Sequence, residues 1–453
     1  GIAARYHDGS EFGTGSKYAA AHALQTLREN DPLKRRTVNE SRISSNSNWQ
    51  VVSEKQGLES SLSLFYDLER SEPFFVRGDN VISKVLELYT IGRCDISVKD
   101  SVLTIQLSVA SRPSGQIRKI SGFPIVLDGK ANQLQLEKSE KPAYIFWVEN
   151  QKTIKSMNIN STEIVELEMP SDVYIVAAEN ENTESGTLWA VTLEGGVYSL
   201  TGKLSILDGF PILLDSKPST QPTVRKNSLI IPLENKKMCL VKVDKSKEYL
   251  DIPELNGSIL ATPTILNDKI ALYDKGFLGK VHVIGSELKR EYNVLGIAFG
   301  SPALMEKDGD TYTAFITQAG GLSIWCDKEG KVGFPLEKRI WGIYFLNVIS
   351  NGNYFYGLTS DGMLHRIALD GAIVSVKIPN ATTKAATLTT VDSNIYVGID
   401  GNLIYGFNEN LELLQGFPIV GTGAPVFADA NGDGNLDCFA LTIDNKLNAW
   451  NLR

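Results

Sequence analysis

No stretch of this 453-residue sequence approaches the ~18 to 20 uncharged apolar positions that a membrane-spanning helix needs, so it contains no helical span. Cysteine is scarce. The four present, Cys94, Cys239, Cys326 and Cys438, lie far apart and form no C-x-x-C pair, which argues against a disulfide framework. Cys239, Cys326 and Cys438 stand in apolar, strand-like contexts and are expected to be buried free thiols. An excess of positive charge is also missing. Lys and Arg number 45 against 53 Asp and Glu, a net charge of −8, which excludes a general nucleic-acid binder that must displace counterions from phosphates. The run Leu33-Lys34-Arg35-Arg36 is the one obvious basic patch. With 42% hydrophobic and 22% charged residues, the remainder is ordinary for a folded globular chain.

The start, Gly1-Ile2-Ala3-Ala4-Arg5, has neither an initiating Met nor the apolar core of a secretory signal. Residues 1–16, with Gly9-Ser10-Glu11-Phe12-Gly13-Thr14-Gly15-Ser16, read as a cloning linker, and a native targeting segment is expected to be missing.

What is present is repetition. Gly-Phe-Pro recurs at Gly122-Phe123-Pro124, Gly209-Phe210-Pro211, Gly333-Phe334-Pro335 and Gly416-Phe417-Pro418. The steps between the glycines are 87, 124 and 83 residues, close to two, three and two multiples of a period of about 42. Pro170, Pro253 and Pro379 mark three of the unfilled positions. A second motif repeats out of phase with the first. It comprises an acidic or small residue, Gly or Asn, one variable residue and then an apolar run. It occurs at Glu194-Gly195-Gly196-Val197, Ala319-Gly320-Gly321-Leu322, Asp361-Gly362-Met363-Leu364, Asp400-Gly401-Asn402-Leu403 and Asp444-Asn445-Lys446-Leu447. Gly or Asn supplies the positive φ of a tight hairpin.

Each period holds about four short runs of β-branched and aromatic residues, the pattern of a propeller blade. Seven periods fill the span from Pro124 to Pro418. The tail has room for only three strands, at 424–428, 438–442 and 446–452. Residues 116–120 precede the first Gly-Phe-Pro as a last strand should. The expected fold is therefore an all-β, eight-bladed β-propeller over residues 113–453, closed by N- and C-terminal strands sharing one blade, with seven blades as the alternative. Before it, residues 17–55 read as a helix (19–29) and a polar linker (39–48). Residues 56–112 read as a small α+β module with helices at 58–69 and 80–89 and a hairpin of 94–98 with 102–109. Arg77-Gly78-Asp79 is read as a Gly turn with Asp79 capping the second helix.

One segment has chemical specificity. Asp429-Ala430-Asn431-Gly432-Asp433-Gly434-Asn435-Leu436-Asp437 places oxygen-bearing side chains at alternate positions and a glycine at the sharp turn. Asp429, Asn431, Asp433 and Asp437 are candidate side-chain ligands, and Asn435 a candidate carbonyl ligand. An oxygen-only set suits a hard cation, Ca²⁺ rather than Zn²⁺. Residues 301–310 align with the start of this region, but Lys307 stands inside the shorter loop, so that copy reads as decayed.

The Gly-Phe-Pro marks, Ala424-Pro425-Val426-Phe427-Ala428-Asp429, the loop through Asp437 and the closing Asp444-Asn445-Lys446-Leu447-Asn448-Ala449-Trp450 together resemble the FG-GAP and VCBS-type repeats. PQQ-like eight-bladed propellers are architectural relatives. The resemblance implies a non-catalytic, extracytoplasmic (periplasmic or cell-surface) binding, adhesion or scaffold protein with one structural Ca²⁺, presenting a propeller face to a protein or glycan. Two alternatives accompany it: a PQQ-type quinone-dependent dehydrogenase, and a cell-envelope assembly scaffold resembling the eight-bladed outer-membrane insertion lipoprotein. Against an enzyme, the four histidines (His7, His22, His282, His365) are dispersed and no G-x-S-x-G or H-E-x-x-H segment occurs. Trp189, Trp325 and Trp450 recur at what the repeat presents as a similar strand position.

Overall fold

A computed structural model describes residues 118–451 apart from 121, 140, 179–186, 251, 253–254, 256, 260, 275–278, 286–288, 295–298, 318–319, 329, 333–344, 379–386 and 400–401. Before residue 118 it describes only the backbone of seven strands. No helix occurs among the described residues.

Eight antiparallel sheets follow one another along the chain. Blade one runs from Ala131–Leu136 to Ile164–Glu168, blade two from Val173–Ala177 to Ile212–Leu213, and blade three from Thr223–Arg225 to Lys247–Tyr249. Blade four runs from Thr264–Leu266 to Lys289–Asn293, blade five from Phe299–Lys307 to Gly330–Val332, and blade six from Phe345–Asn351 to Ile373–Lys377. Blade seven runs from Thr387–Val391 to Ile419–Val420. The eighth blade takes three strands from the C-terminal end, Thr422–Ala428, Asp437–Leu441 and Lys446–Asn451, and its outer strand from the other end of the ring. There Lys119 pairs with Trp450 and Arg118 with Asn451, while Ile125 and Val126 pair with Leu447 and Lys446. The closure expected from the three-strand tail is thus formed.

The second strands are near-continuous apolar runs because both their faces are covered. In blade two, Leu188 and Ala190 pack with Phe146 and Val148 of blade one, while Trp189 and Val191 pack with Leu229, Ile231 and Cys239 of blade three. Alternate residues of one strand therefore serve two interfaces. Glutamine stitches the inner strands of blades one and two: Gln133 donates through Nε2 to Val173 O at 2.9 Å and accepts from Ile175 N–H at 2.9 Å.

Both repeat motifs are turns. In Gly-Phe-Pro, the Phe N–H closes on the residue three earlier, Phe123 on Ile120, Phe210 on Leu207 and Phe417 on Leu414, each at 3.2 Å. The glycine between has φ of +89°, +79° and +84°, a conformation that disfavours a Cβ. All three Phe-Pro bonds are cis. Each Phe ring then lies on an aromatic of its own blade's second strand: Phe123 on Phe439, Phe210 on Trp189 and Phe417 on Tyr396, with centroids 5.6, 5.8 and 5.5 Å apart. The second motif is a turn with positive φ at Gly195, Gly320, Gly362 and Asn445. It has a further member, a threonine two residues before the acidic or small one. Thr192, Thr317, Thr359 and Thr442 each donate to the carbonyl four residues ahead (Gly196, Gly321, Met363 and Lys446) at 3.2, 3.1, 3.0 and 3.3 Å. A hydroxyl bond to the backbone competes well at a turn, where ladder partners are lacking.

The N-terminal expectations need correction. Leu64–Asp67 is extended and pairs with Glu72–Phe75, so the helix expected over 58–69 is not formed at those four residues. Their sequence, Leu-Phe-Tyr-Asp, is aromatic and suits a strand better than a helix. The hairpin is present as Tyr89–Lys99 with Val102–Ser111. A third strand, Asn48–Val52, joins it from a segment read as linker, pairing with Val102–Ser111. The helix over 19–29, residues 80–88, Arg77-Gly78-Asp79, His7, His22, Leu33-Lys34-Arg35-Arg36 and the third Gly-Phe-Pro lie outside the described residues. So does the Cys94 side chain.

Candidate functional site

The acidic loop leaves blade eight where Ala428 pairs with Asp437, the last rung between its first two strands. Asp429 follows the inner strand and Asp437 opens the second, so pairing brings the two ends of the motif together. Between them, Asn431, Asp433 and Asn435 are exposed, whereas Asp437 is fully buried. Asp429 organises the loop. Its Oδ1 accepts from Gly432 N–H at 2.8 Å and Asp433 N–H at 3.1 Å, and its Oδ2 from Gly434 N–H at 2.8 Å. Asn431 Oδ1 accepts from Asp433 N–H, and Asp433 Oδ1 from Asn435 N–H, both at 2.9 Å. Asp437 Oδ2 accepts from Ala430 N–H at 3.0 Å. Gly432 and Gly434 have φ of +75° and +83°, and no atom lies near where their Cβ would stand, so backbone conformation rather than space calls for glycine.

The donor chemistry of this loop fits a hard cation, since each candidate atom is an oxygen. Both oxygens of Asp429 and one each of Asp433 and Asp437 accept from backbone amides, however, and among the described residues no three His, Cys, Asp or Glu side chains are grouped to hold a metal ion. Blade five shows what the loop replaces. There the first two strands pair further, Glu306 with Thr311 and Lys307 with Asp310, and close on Asp308-Gly309 with φ of +54° and +81°. Lys328 is ion-paired to Asp310, so a lysine supplies the positive charge at that turn.

A second buried polar constellation lies at the seam of blades three and four. His282, 1% exposed, has Nε2 3.6 Å from Asp274 Oδ2 and Nδ1 3.4 Å from Glu291 Oε1. Asp274 is fully buried and accepts from Gly257 N–H at 2.7 Å. Glu291 is also held by Lys280 at 2.7 Å. His282 stands opposite Leu272, which packs with Ile230, Met238 and Leu240 of blade three. Burial pushes the imidazole pKa below its usual 6.5, more than the two carboxylates raise it. The unfolded chain takes up this proton near pH 6.5 and the folded chain only at lower pH, so acid favours unfolding in that window. The contribution is full above the unfolded value and declines as pH falls through the folded one. Urea midpoints of wild type and His282→Leu, compared from about pH 7.5 to about 5, are expected to show the wild type losing stability that the variant keeps. Parallel profiles would remove His282 as the cause.

Other residues fall differently from the sequence reading. Trp325 and Trp450 are third-strand residues, opposite Thr313 and Cys438, but Trp189 is on a second strand opposite Ser199. The three tryptophans therefore do not form one docking series. The periodic signal missed Trp147 and its partner: Trp147 Nε1–H donates to buried Glu149 Oε1 at 2.8 Å. A charged residue within an apolar strand run was the available clue. Nearby Lys155, 7% exposed, is ion-paired to Asp128 at 3.1 Å and to Glu166. Cys239, Cys326 and Cys438 are buried free thiols as expected, and burial pushes the Cys239 pKa up to about 11.

No protein-family model and no curated protein matches this chain. Among solved structures it is similar to BamB from Moraxella catarrhalis, with a TM-score of 0.52 and 13% identity over 74% of this chain and 99% of that one. It is also similar to the computationally designed Ika8 protein, with a TM-score of 0.50 and 13% identity over 72% and 98%. Apo AztD from Citrobacter koseri gives a TM-score of 0.43 and 14% identity over 64% and 87%. The first two likenesses, together with the eight sheets, support the propeller fold.

Proposed function

We propose that this chain is a non-catalytic, extracytoplasmic scaffold that presents a rigid propeller face to a protein partner. One observation carries the reading: the described thiols are buried, and each described histidine is held within its own blade, His282 enclosed between Asp274 and Glu291 and His365 bonded to Ser375 at 2.7 Å. His282 and His365 are in the third strands of different blades. Nucleophilic catalysis needs a nucleophile, a base and a group that orients the base. The described Ser–His contact, Ser375 Oγ to His365 Nδ1 at 2.7 Å, has Thr359 rather than a carboxylate at the other ring nitrogen. A thiol needs a lowered pKa, the opposite of what burial does to Cys239. The direct test supplies quinone with or without calcium and follows dye-linked oxidation of alcohols and sugars. No turnover above the protein-free control is expected; turnover that scales with protein would overturn the scaffold reading. A glycan panel is likewise expected to give no saturable binding.

Kinship with FG-GAP and VCBS-type repeats belongs to the same proposal and rests on the loop from Asp429 to Asp437. In it, Asp429, Asn431, Asp433 and Asp437 offer side-chain oxygens and Asn435 its carbonyl to one structural Ca²⁺. Millimolar extracellular calcium suits such a loop, which supports a location outside the cytoplasm. A ligand that binds only the folded state stabilises it by about 2.7 kcal/mol at 100 times its Kd. Calcium is therefore expected to raise the melting temperature of the wild type and to leave that of Asp433→Ala unchanged. Identical melting of the wild type in calcium and in chelator would refute the site.

A further inference from the structure

The repeat offers an internal comparison on the outer rim. In three blades, Gly-Phe-Pro is followed by Ile and then a second apolar residue: Val126, Leu213 and Val420. Each second residue occupies the same rung of its blade, opposite Lys446, Gly196 and Leu403 respectively. Val126 is 65% exposed and Leu213 71%, yet Val420 is 2% exposed. Val420 belongs to the buried cluster with Ile404, Phe417 and Ile419, and blade seven also has a neighbour along its outer side. Strand Tyr89–Lys99 runs beside both Leu403–Phe407 and Ile419–Val420.

Topology makes this a meeting of two edges. Ile419–Val420 is the outer edge of blade seven, and Tyr89–Lys99 is an edge of its own three-stranded sheet, whose other edge is Asn48–Val52. The two are not joined in one hydrogen-bonded sheet. An exposed apolar edge invites association with other chains, and covering it is one of the ways proteins manage it. We infer that the outer edge of blade seven around Val420 is a docking surface for this chain's own N-terminal β-hairpin, Tyr89–Lys99 with Val102–Ser111, which holds the N-terminal module to the ring at that blade. The surface takes an extended β-hairpin, and the equivalent positions on blades eight and two show how the edge stands when nothing covers it. This inference is independent of whether the ring is a scaffold or an enzyme.

The full chain carrying a photoreactive benzoyl-phenylalanine at position 420 is expected to cross-link to peptides within residues 89–111. The same group at position 213 is expected not to reach that segment. In parallel, Val420→Asp places a carboxylate in the covered edge and is expected to speed proteolysis within residues 89–111 by at least about tenfold. Leu213→Asp should leave that rate unchanged, and the main melting transition reports whether each ring is intact. Cross-links from position 420 that map elsewhere, or equal cross-linking from 213, would overturn the inference. So would an intact Val420→Asp ring with unchanged hairpin protection. If Val420→Asp loses the ring transition, the cross-link decides alone.

Discussion

Deleting residues 113–126 is expected to abolish cooperative melting and to make the chain aggregate where the full protein stays monodisperse. The segment carries the outer strand of blade eight. Its loss removes the pairing of Arg118 and Lys119 with Asn451 and Trp450, and of Ile125 and Val126 with Leu447 and Lys446. Ile120, Phe123 and Ile125 also pack against the cluster of Ile145, Trp147, Phe439 and Leu447 that joins blade eight to blade one. Fully burying a large apolar side chain contributes roughly 1.5–3 kcal/mol. These three are half-buried and contribute a part of that each, on top of the lost strand pairing, against the ~5–15 kcal/mol that ordinarily separates folded from unfolded protein. The deletion also bares Lys446–Asn451 as a sheet edge. Calorimetry and light scattering read both consequences, and a single transition at the wild-type temperature would show that this strand does not close the ring.

Phe417→Ala should be the most damaging single substitution at a Gly-Phe-Pro mark, lowering stability by about 3–5 kcal/mol. Phe417 is 1% exposed and packs between Tyr396 and the backbone of the third strand. A Cβ placed on Gly406 would come within 2.9 Å of its ring, so the ring fills the space that Gly406 leaves. Truncation leaves a cavity between blades seven and eight, where Ile404, Ile419, Phe427 and Trp450 share the same cluster. These residues belong to paired strands and collapse poorly into a void. Leu213→Ala, at an exposed rim position, is the control and should stay within about 0.5 kcal/mol. Urea midpoints compare the two; similar values would mean that the Phe at these marks is dispensable.

The ring was legible because blades are nearly self-contained sheets. Turn chemistry repeats between blades, and Gly122, Gly209 and Gly416 stand with positive φ at three of the entries to an outer strand. The N-terminal module was misread for the converse reason. It has no repeat to average over, and the helix read over residues 58–69 gives way to the strand preference of Leu64–Asp67, which pairs with Glu72–Phe75. The tryptophans misled because a period locates a blade without distinguishing its second strand from its third.

The sequence by itself determined the all-β class, the period of about 42 residues, the eight-blade count and the strand borrowed from the N-terminal end of the ring. Those are properties of local turns and of chain arithmetic. Only the tertiary structure decided which side chains meet across a seam. His282 faces Asp274 and Glu291 because three neighbouring strands of one blade bring residues 274, 282 and 291 together, and burial then lowers its pKa. The exposure of Val126 and Leu213 and the burial of Val420 were likewise invisible in their shared Gly-Phe-Pro-Ile motif. The same local sequence makes the same strand, but what covers that strand is set by segments far away in the chain.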